Sequence, residues 1–252
     1  MSRKVKIGIT RDMFDKEGKP ITPGPGLKLL EAMPNVEYKI FKEYLVEATP
    51  EQIKDLDMVI VLKPKFNART VAGNDQLLAI HRNGVGYDTI DVPAMTEAGV
   101  MLTITPGGVR RPMAVAIITF ILCLSSNIFP KVKLLRSGVW DRSKFLGVGL
   151  VGKTFGSIGI GNIGHEAFKL AMPFGMKHIA YDPYLTQDKV NDVGVKLVDM
   201  DTVLKESDFL NVSCPLNEKT FHLVGEKELK QMKKTAFIIN TARGPIIDEK
   251  AL

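Results

Sequence analysis

Cysteine is nearly absent: the chain holds two, Cys123 and Cys214, among 252 residues. One lies in an apolar run and the other precedes a proline, so neither belongs to a metal-ligand spacing. No metal site and no disulfide framework are expected, and a reducing, cytoplasmic compartment fits. The N-terminus, Met-Ser-Arg-Lys-Val-Lys, lacks the apolar core of a signal peptide and runs straight into a strand pattern. The longest apolar stretch, Met113 to Leu124, falls short of the roughly 20 residues that span a bilayer. It reads as a buried helix, and no membrane partner is expected. Tight-period repeats and low-complexity tracts are lacking too.

What is present is ordinary for a globular chain. Apolar residues make up 45% and charged residues 25%, enough to bury a sizeable core, and the length suits two domains. The net charge is +6, but Lys and Arg are spread among Asp and Glu. The densest cluster, Lys227 to Lys234, reads as the solvated face of a helix. No nucleic-acid partner is expected, and a mild positive field suits anionic ligands.

Strand-like and helix-like segments alternate along the whole chain. Val5 to Thr10, Val36 to Phe41, Met58 to Leu62, Leu77 to Ile80 and Val100 to Ile104 read as strands. Helices are expected at Leu27 to Ala32 and at Pro50 to Leu56, the latter with Thr49 as its N-cap. The Met58 to Leu62 run is continuously apolar, as in a strand buried on both faces of a parallel sheet. A turn is expected at Thr105-Pro106-Gly107-Gly108, then a long helix from Pro112 to about Ser126 and another at Lys131 to Arg136. A second strand–helix series follows, with strands at Phe155 to Ile158, Lys177 to Tyr181, Val195 to Val198, Phe209 to Ser213 and Ala236 to Asn240. Such alternation implies an α/β fold with two Rossmann-like or flavodoxin-like domains built on parallel sheets. The boundary falls near residue 108, giving residues 1–108 and 109–252.

The second series opens on Gly159-Ile160-Gly161-Asn162-Ile163-Gly164. A lone G-x-G-x-x-G is weak, but this one follows a strand, opens a helix and is followed by a strand ending at Asp182, 18 residues beyond Gly164. Gly159 allows the tight turn, Gly161 lets a pyrophosphate reach the backbone, and Gly164 lets helix and strand pack closely. The amides of Asn162 and Ile163 would face the phosphates at the helix N-terminus. Asp182 would accept hydrogen bonds from both adenosine ribose hydroxyls and repel a 2′-phosphate, which favours NAD over NADP. The competing reading is a glycine turn beside a capping Asp.

Other segments extend the pattern. In order they are Asn83-Gly84-Val85-Gly86-Tyr87-Asp88-Thr89-Ile90-Asp91, Thr105-Pro106-Gly107, Tyr181-Asp182-Pro183, Ser213-Cys214-Pro215-Leu216-Asn217 and Asn240-Thr241-Ala242-Arg243-Gly244-Pro245. With these the chain resembles the D-isomer-specific 2-hydroxyacid dehydrogenases along essentially its whole length. The resemblance implies NAD-dependent hydride transfer at C2 of a small 2-hydroxy or 2-keto acid. It makes residues 1–108 the substrate-binding domain and residues 109–252 the NAD-binding domain.

Arg243 matches the family's arginine, whose planar fork can bind the substrate carboxylate and the reacting oxygen. Val85 and Gly86 lie in the loop that would offer amides to the carboxylate, and Arg82 just upstream could add charge. Cys214, Pro215 and Thr220 match positions on the adenine side, with Cys214 a packing residue. Thr241 and Ala242 match the nicotinamide side. Homodimerisation through the long helix is also implied.

The resemblance further implies a general-acid histidine paired with a glutamate, both beyond the Asn-Thr-Ala-Arg-Gly segment. The sequence stops at Leu252, so the expectation is a second domain incomplete at its C-terminus, and little dehydrogenase activity. His81, His165, His178 and His222 match other places. A non-catalytic NAD(H)-binding regulator is the alternative. An enzyme using another nucleotide, such as an S-adenosyl ligand, does not account for Arg243 and the Val85–Gly86 loop. Arg110 and Arg111 read as solvated more than as cofactor-facing.

Overall fold

A computed structural model describes residues 3–252. The chain divides into two compact units, Met1–Pro106 and Gly107–Leu252. Each is organised around its own five-stranded parallel sheet.

In the first unit the strands are β1 (Val5–Ile9), β2 (Val36–Ile40), β3 (Met58–Val61), β4 (Ala79–Arg82) and β5 (Met101–Ile104). Their order is β2-β1-β3-β4-β5. The chain winds to one side of β1 and then back past it, so the loops after β1 and β3 flank the switch point of the sheet. Helices α1 (Gly26–Glu31), α2 (Pro50–Ile53), α3 (Ala68–Val71) and α4 (Val92–Glu97) fill the crossovers. Thr49 caps α2 as expected. Its hydroxyl accepts from the Gln52 amide, and Gln52 Oε1 accepts from the Thr49 amide at 3.2 Å. One core layer holds Phe41, Ile53, Leu56, Val59, Phe66 and Ile80; Ile7, Ile9 and Phe14 form the other. At the base of the sheet the Asp57 amide donates to Lys6 O at 2.9 Å, and the Asp57 carboxylate accepts from the Lys6 amide at 2.7 Å. Arg3 pairs with the same carboxylate.

The second unit begins with two helices, α5 (Pro106–Ser125) and α6 (Ile128–Arg136). Its strands are β6 (Thr154–Ile158), β7 (Lys177–Tyr181), β8 (Val195–Leu197), β9 (Phe209–Val212) and β10 (Phe237–Asn240), in the order β10-β9-β6-β7-β8. Helices α7 (Asn162–Ala171), α8 (Met200–Glu206) and α9 (Glu226–Leu229) connect them. The chain adds β7 and β8 on one side of β6 and then β9 and β10 on the other, which places the glycine turn at a switch point. Asp208 occupies the position before β9 that Asp57 occupies before β3. Its amide donates to Thr154 O at 2.9 Å and its carboxylate accepts from the Thr154 amide at 2.8 Å. Burial works to raise the Asp208 pKa, but the Thr154 amide and Lys233 and Lys153 prevail and hold it below the ordinary carboxylate value.

His178 on β7 is buried against the rings of Phe155 and Phe168. Burial pushes its pKa down, and Nδ1 lies 3.2 Å from Val193 O. Since a carbonyl only accepts, Nδ1 carries the proton in this contact, and the ring packs as an aromatic in the core.

Three expectations need correction. Residues 105–108 are not a free turn, because α5 already starts at Pro106. Pro106 and Pro112 are both suited to a helix start. The helix uses the first and carries the second inside, where Pro112 has no N–H to give Gly108 O. The resulting 20-residue helix is long and apolar enough to cross a membrane by length and composition. It is also not buried all round. Ala114, Ile117, Ile118 and Ile121 pack into the core with Phe155 and Phe168, while Val115, Phe120 and Leu122 are exposed. Finally, three short helices went unread although their caps are in the sequence. Asn67, Asp91 and Asp199 each accept a backbone amide at the start of α3, α4 and α8.

Candidate functional site

The three glycines of the turn after β6 differ in what surrounds them. Gly159 sits at φ +86°, and a Cβ there would lie 2.9 Å from the Cys214 amide nitrogen and 3.0 Å from Ser213 carbonyl carbon. A Cβ on Gly164 would lie 3.0 Å from Gly159 O. The protein's own packing crowds a side chain at both positions, and at Gly159 the positive φ disfavours one as well. Gly161 is different, since a Cβ there would meet nothing within 4 Å. The space it leaves open is in front of the turn.

Gly161 is also the N-cap of α7 and has no side chain to cap it. The first amides of a helix lack intrahelical partners, so Asn162 and Ile163 offer theirs outward under the positive end of the helix dipole. This is a ready anion site. The Ile163 side chain itself packs on the core, so its amide is the relevant group.

Asp182 stands at the end of β7 beside the turn. One carboxylate oxygen accepts from the Ile160 amide at 3.1 Å and the other from the Tyr184 amide at 3.0 Å. Each oxygen keeps a second lone pair for a hydroxyl donor. Cys214, at the end of β9, is half-buried. Burial, together with the charge of Asp182, pushes its thiol pKa up, which lowers the share of reactive thiolate. Thr220 closes the next loop. Its hydroxyl donates to Pro215 O at 2.6 Å and accepts from the Asn217 amide at 2.8 Å.

Beyond β10, Thr241, Ala242 and Arg243 line an open cavity of about 410 Å³ together with Asn240, Gly244 and Glu249. Asn240 shapes this loop. Its Oδ1 accepts from the Ala242 amide at 3.0 Å and its Nδ2 donates to Arg243 O at 2.8 Å. Sequence reading quoted Asn240 in a motif without giving it that role. The Arg243 guanidinium donates to Ala242 O at 2.8 Å.

In the first unit, Val85 and Gly86 follow β4 in a loop fixed by Gly84, whose amide donates to Arg82 O and whose carbonyl accepts from Thr105 N. Arg82 Nη1 donates to Asn83 O at 2.6 Å, folding the side chain over Gly84. Arg110 and Arg111 are more than half exposed, as expected of solvated residues, yet both pair with Glu166 on α7. The hydrogen bond from Arg111 holds the Glu166 pKa below its ordinary value.

The histidines are engaged elsewhere. His81 Nδ1 lies 2.7 Å from Thr103 Oγ1, His165 Nε2 lies 3.0 Å from Asp192, and His222 stacks on Phe221.

Residues 118–252 match the family described as D-isomer specific 2-hydroxyacid dehydrogenase, NAD binding domain. The chain belongs to this family. The glyoxylate reductase of Thermococcus litoralis is 35% identical over 262 residues, covering 99% of this chain and 75% of that protein. The D-3-phosphoglycerate dehydrogenase of Methanocaldococcus jannaschii is 39% identical over 230 residues, but the match covers 90% of this chain and only 43% of that enzyme. Among solved structures, D-lactate dehydrogenase from Aquifex aeolicus complexed with NAD and lactic acid superposes with a TM-score of 0.84 at 25% identity, covering 97% of this chain and 71% of that one. A glyoxylate reductase from Paecilomyes thermophila gives 0.82 at 30% identity, with 100% and 77% covered. The family's cofactor is NAD. The open space at Gly161, the outward amides of α7 and the carboxylate of Asp182 suit its pyrophosphate and ribose.

Proposed function

We propose that this chain binds NAD(H) on its second unit and serves an oxidoreductase that acts on a small 2-hydroxy or 2-keto acid. The observation that carries the reading is the arrangement at the switch point. The open front of Gly161, the α7 amides and Asp182 gather at the ends of β6 and β7. When bound, NAD supplies the hydride acceptor or donor. Asn162 and Ile163 would hold its pyrophosphate by their amides, and Asp182 its adenosine ribose. Cys214, Pro215 and Thr220 would border the adenine, and Thr241 and Ala242 the nicotinamide. Arg243 would hold the substrate carboxylate and polarise the keto oxygen. Val85, Gly86 and Arg82, in the first unit, would offer amides and charge to a substrate carboxylate.

Titration with NADH by fluorescence tests the cofactor reading, and lack of binding by the folded chain would end it. A second measurement isolates Arg243. In Arg243→Gln, NADH affinity should stay within about twofold while a 2-keto acid binds the NADH complex about fiftyfold more weakly. Equal 2-keto acid affinity in both proteins would remove Arg243 from the site.

The second reading is NAD(H) binding without turnover. What favours it is that none of His81, His165, His178 and His222 lines the cavity beside Thr241, Ala242 and Arg243. Turnover by these 252 residues is then expected about 10²–10⁴-fold below that of an enzyme with a positioned acid. Rapid, Arg243-dependent oxidation of NADH by a 2-keto acid would reject this second reading.

We also propose a homodimer formed through α5 and α6. Val115, Phe120 and Leu122 on α5 and Ile128, Phe129 and Val132 on α6 are exposed, a concentration of apolar side chains that calls for a cover. Sedimentation equilibrium should give twice the monomer mass, and Phe129→Glu should return the protein to monomer. A wild-type monomer at micromolar concentration would refute the dimer.

A further inference from the structure

β6 and β9, the strands that carry the glycine turn, each contain a buried polar residue among apolar ones. Ser157 and Asn211 are register neighbours across the pair, and both are fully buried. Their hydrogen bonds have one consistent direction. The Gly159 carbonyl lies 2.7 Å from Ser157 Oγ and can only accept, so the single hydroxyl hydrogen goes to it. Ser157 Oγ is then left to accept from Asn211 Nδ2 at 3.0 Å. That orientation leaves Asn211 Oδ1 buried with no hydrogen-bond partner. An unmatched buried acceptor lowers stability, and apolar residues of the same shape would hold this part of the sheet at least as well. Stability alone therefore does not account for the pair.

The other end of the same peptide does. The carbonyl that Ser157 holds belongs to the Gly159–Ile160 peptide. The N–H of that peptide, on Ile160, donates to Asp182 Oδ2 at 3.1 Å. In a trans peptide the C=O and N–H lie in one plane and point in opposite directions. Ser157 thus grips the plane from inside the sheet and Asp182 grips it from the ribose side. Gly159, at φ +86° and without a Cβ, leaves this plane few restraints of its own. The same carbonyl also lies against Gly164 in the first turn of α7. Its direction therefore bears on where the helix amides point.

We propose that Ser157, held by Asn211, is a positioning residue for the cofactor. It sets the plane of the Gly159–Ile160 peptide and, through the Ile160 N–H, the orientation of the Asp182 carboxylate. The inference rests on NAD binding at this turn and adds to it two residues that do not touch the ligand.

A double-mutant cycle tests this. NADH and ADP-ribose affinities are measured for wild type, Ser157→Ala, Asp182→Ala and the double variant, with melting temperatures in parallel. Ser157→Ala should weaken both ligands alike, by about fivefold, because the nicotinamide plays no part. In the Asp182→Ala background the same change should cost less than about twofold. An unchanged affinity in Ser157→Ala, or an equal loss in both backgrounds, would overturn the proposal. Absence of NADH binding by the wild-type chain would overturn the cofactor reading as well, and so is told apart.

If Ser157→Ala does not fold, Asn211→Leu carries the test. It removes both the donor that fixes the Ser157 hydroxyl and the unmatched acceptor. Its melting temperature should hold or rise while NADH binds more weakly. A purely structural pair would give a lower melting temperature with unchanged affinity, and that result would reject the proposal.

Discussion

Replacing Asp182 by alanine should weaken NADH binding by about a hundredfold. In the proposed site the carboxylate would accept charge-assisted hydrogen bonds from two ribose hydroxyls, and each such bond is worth more than a neutral one. It also restrains the Ile160 amide at 3.1 Å, so its removal loosens the turn as well. NADPH should respond differently, because the repulsion of a 2′-phosphate disappears together with the hydrogen bonds. The preference for NADH over NADPH should therefore shrink in the variant. Fluorescence titration of both dinucleotides reads both effects, and unchanged NADH affinity would remove Asp182 from the ribose site. Stability should fall modestly, since the carboxylate is only partly buried and one of its two amide partners belongs to the exposed Tyr184.

The second large effect separates two glycines that look alike in the motif. Gly161→Val should cost about 1 kcal/mol of stability or less, the usual range for changes at an N-cap. Its side chain would project into open space, and its φ of −66° suits any residue. Yet it should weaken NADH binding more than about tenfold by filling the space that the pyrophosphate needs. Gly159→Ala should show the opposite pattern. Its Cβ would meet the Cys214 and Ser213 backbone at 2.9–3.0 Å, and the φ of +86° strains any L residue. A loss of about 2–4 kcal/mol in urea unfolding is expected. If Gly161→Val binds NADH normally, the anion does not lie in front of that turn.

The sheets and the cofactor turn were legible because their signals are local. The continuous apolar run Met58 to Leu62 marked β3, and the glycine spacing with Asp182 marked the turn. What escaped depends on contacts distant in sequence. Ser157 and Asn211 are 54 positions apart and become partners only when β6 and β9 pair. Their one visible sign was a polar residue inside an apolar strand. The start of α5 was misplaced because Pro106 and Pro112 carry the same local signal, and packing of Ala114 and Ile117 does not distinguish them. Its exposed face was hidden by composition, since a helix apolar all round reads as buried whatever covers it. The short helices α3, α4 and α8 were missed for want of length, although Asn67, Asp91 and Asp199 announced them.

The carboxylates of Asp57 and Asp208 do one job twice. Each precedes the second neighbour to pair with its unit's opening strand, and each exchanges amide and carboxyl hydrogen bonds with the residue that starts or nearly starts that opening strand, Lys6 or Thr154. Neither takes an atom from the other unit to do so. The chain is therefore two self-fastened modules in series, each with the clasp that sets its strand register encoded within its own residues. The fastening of each opening strand is written within a span of 51 or 54 positions of the sequence.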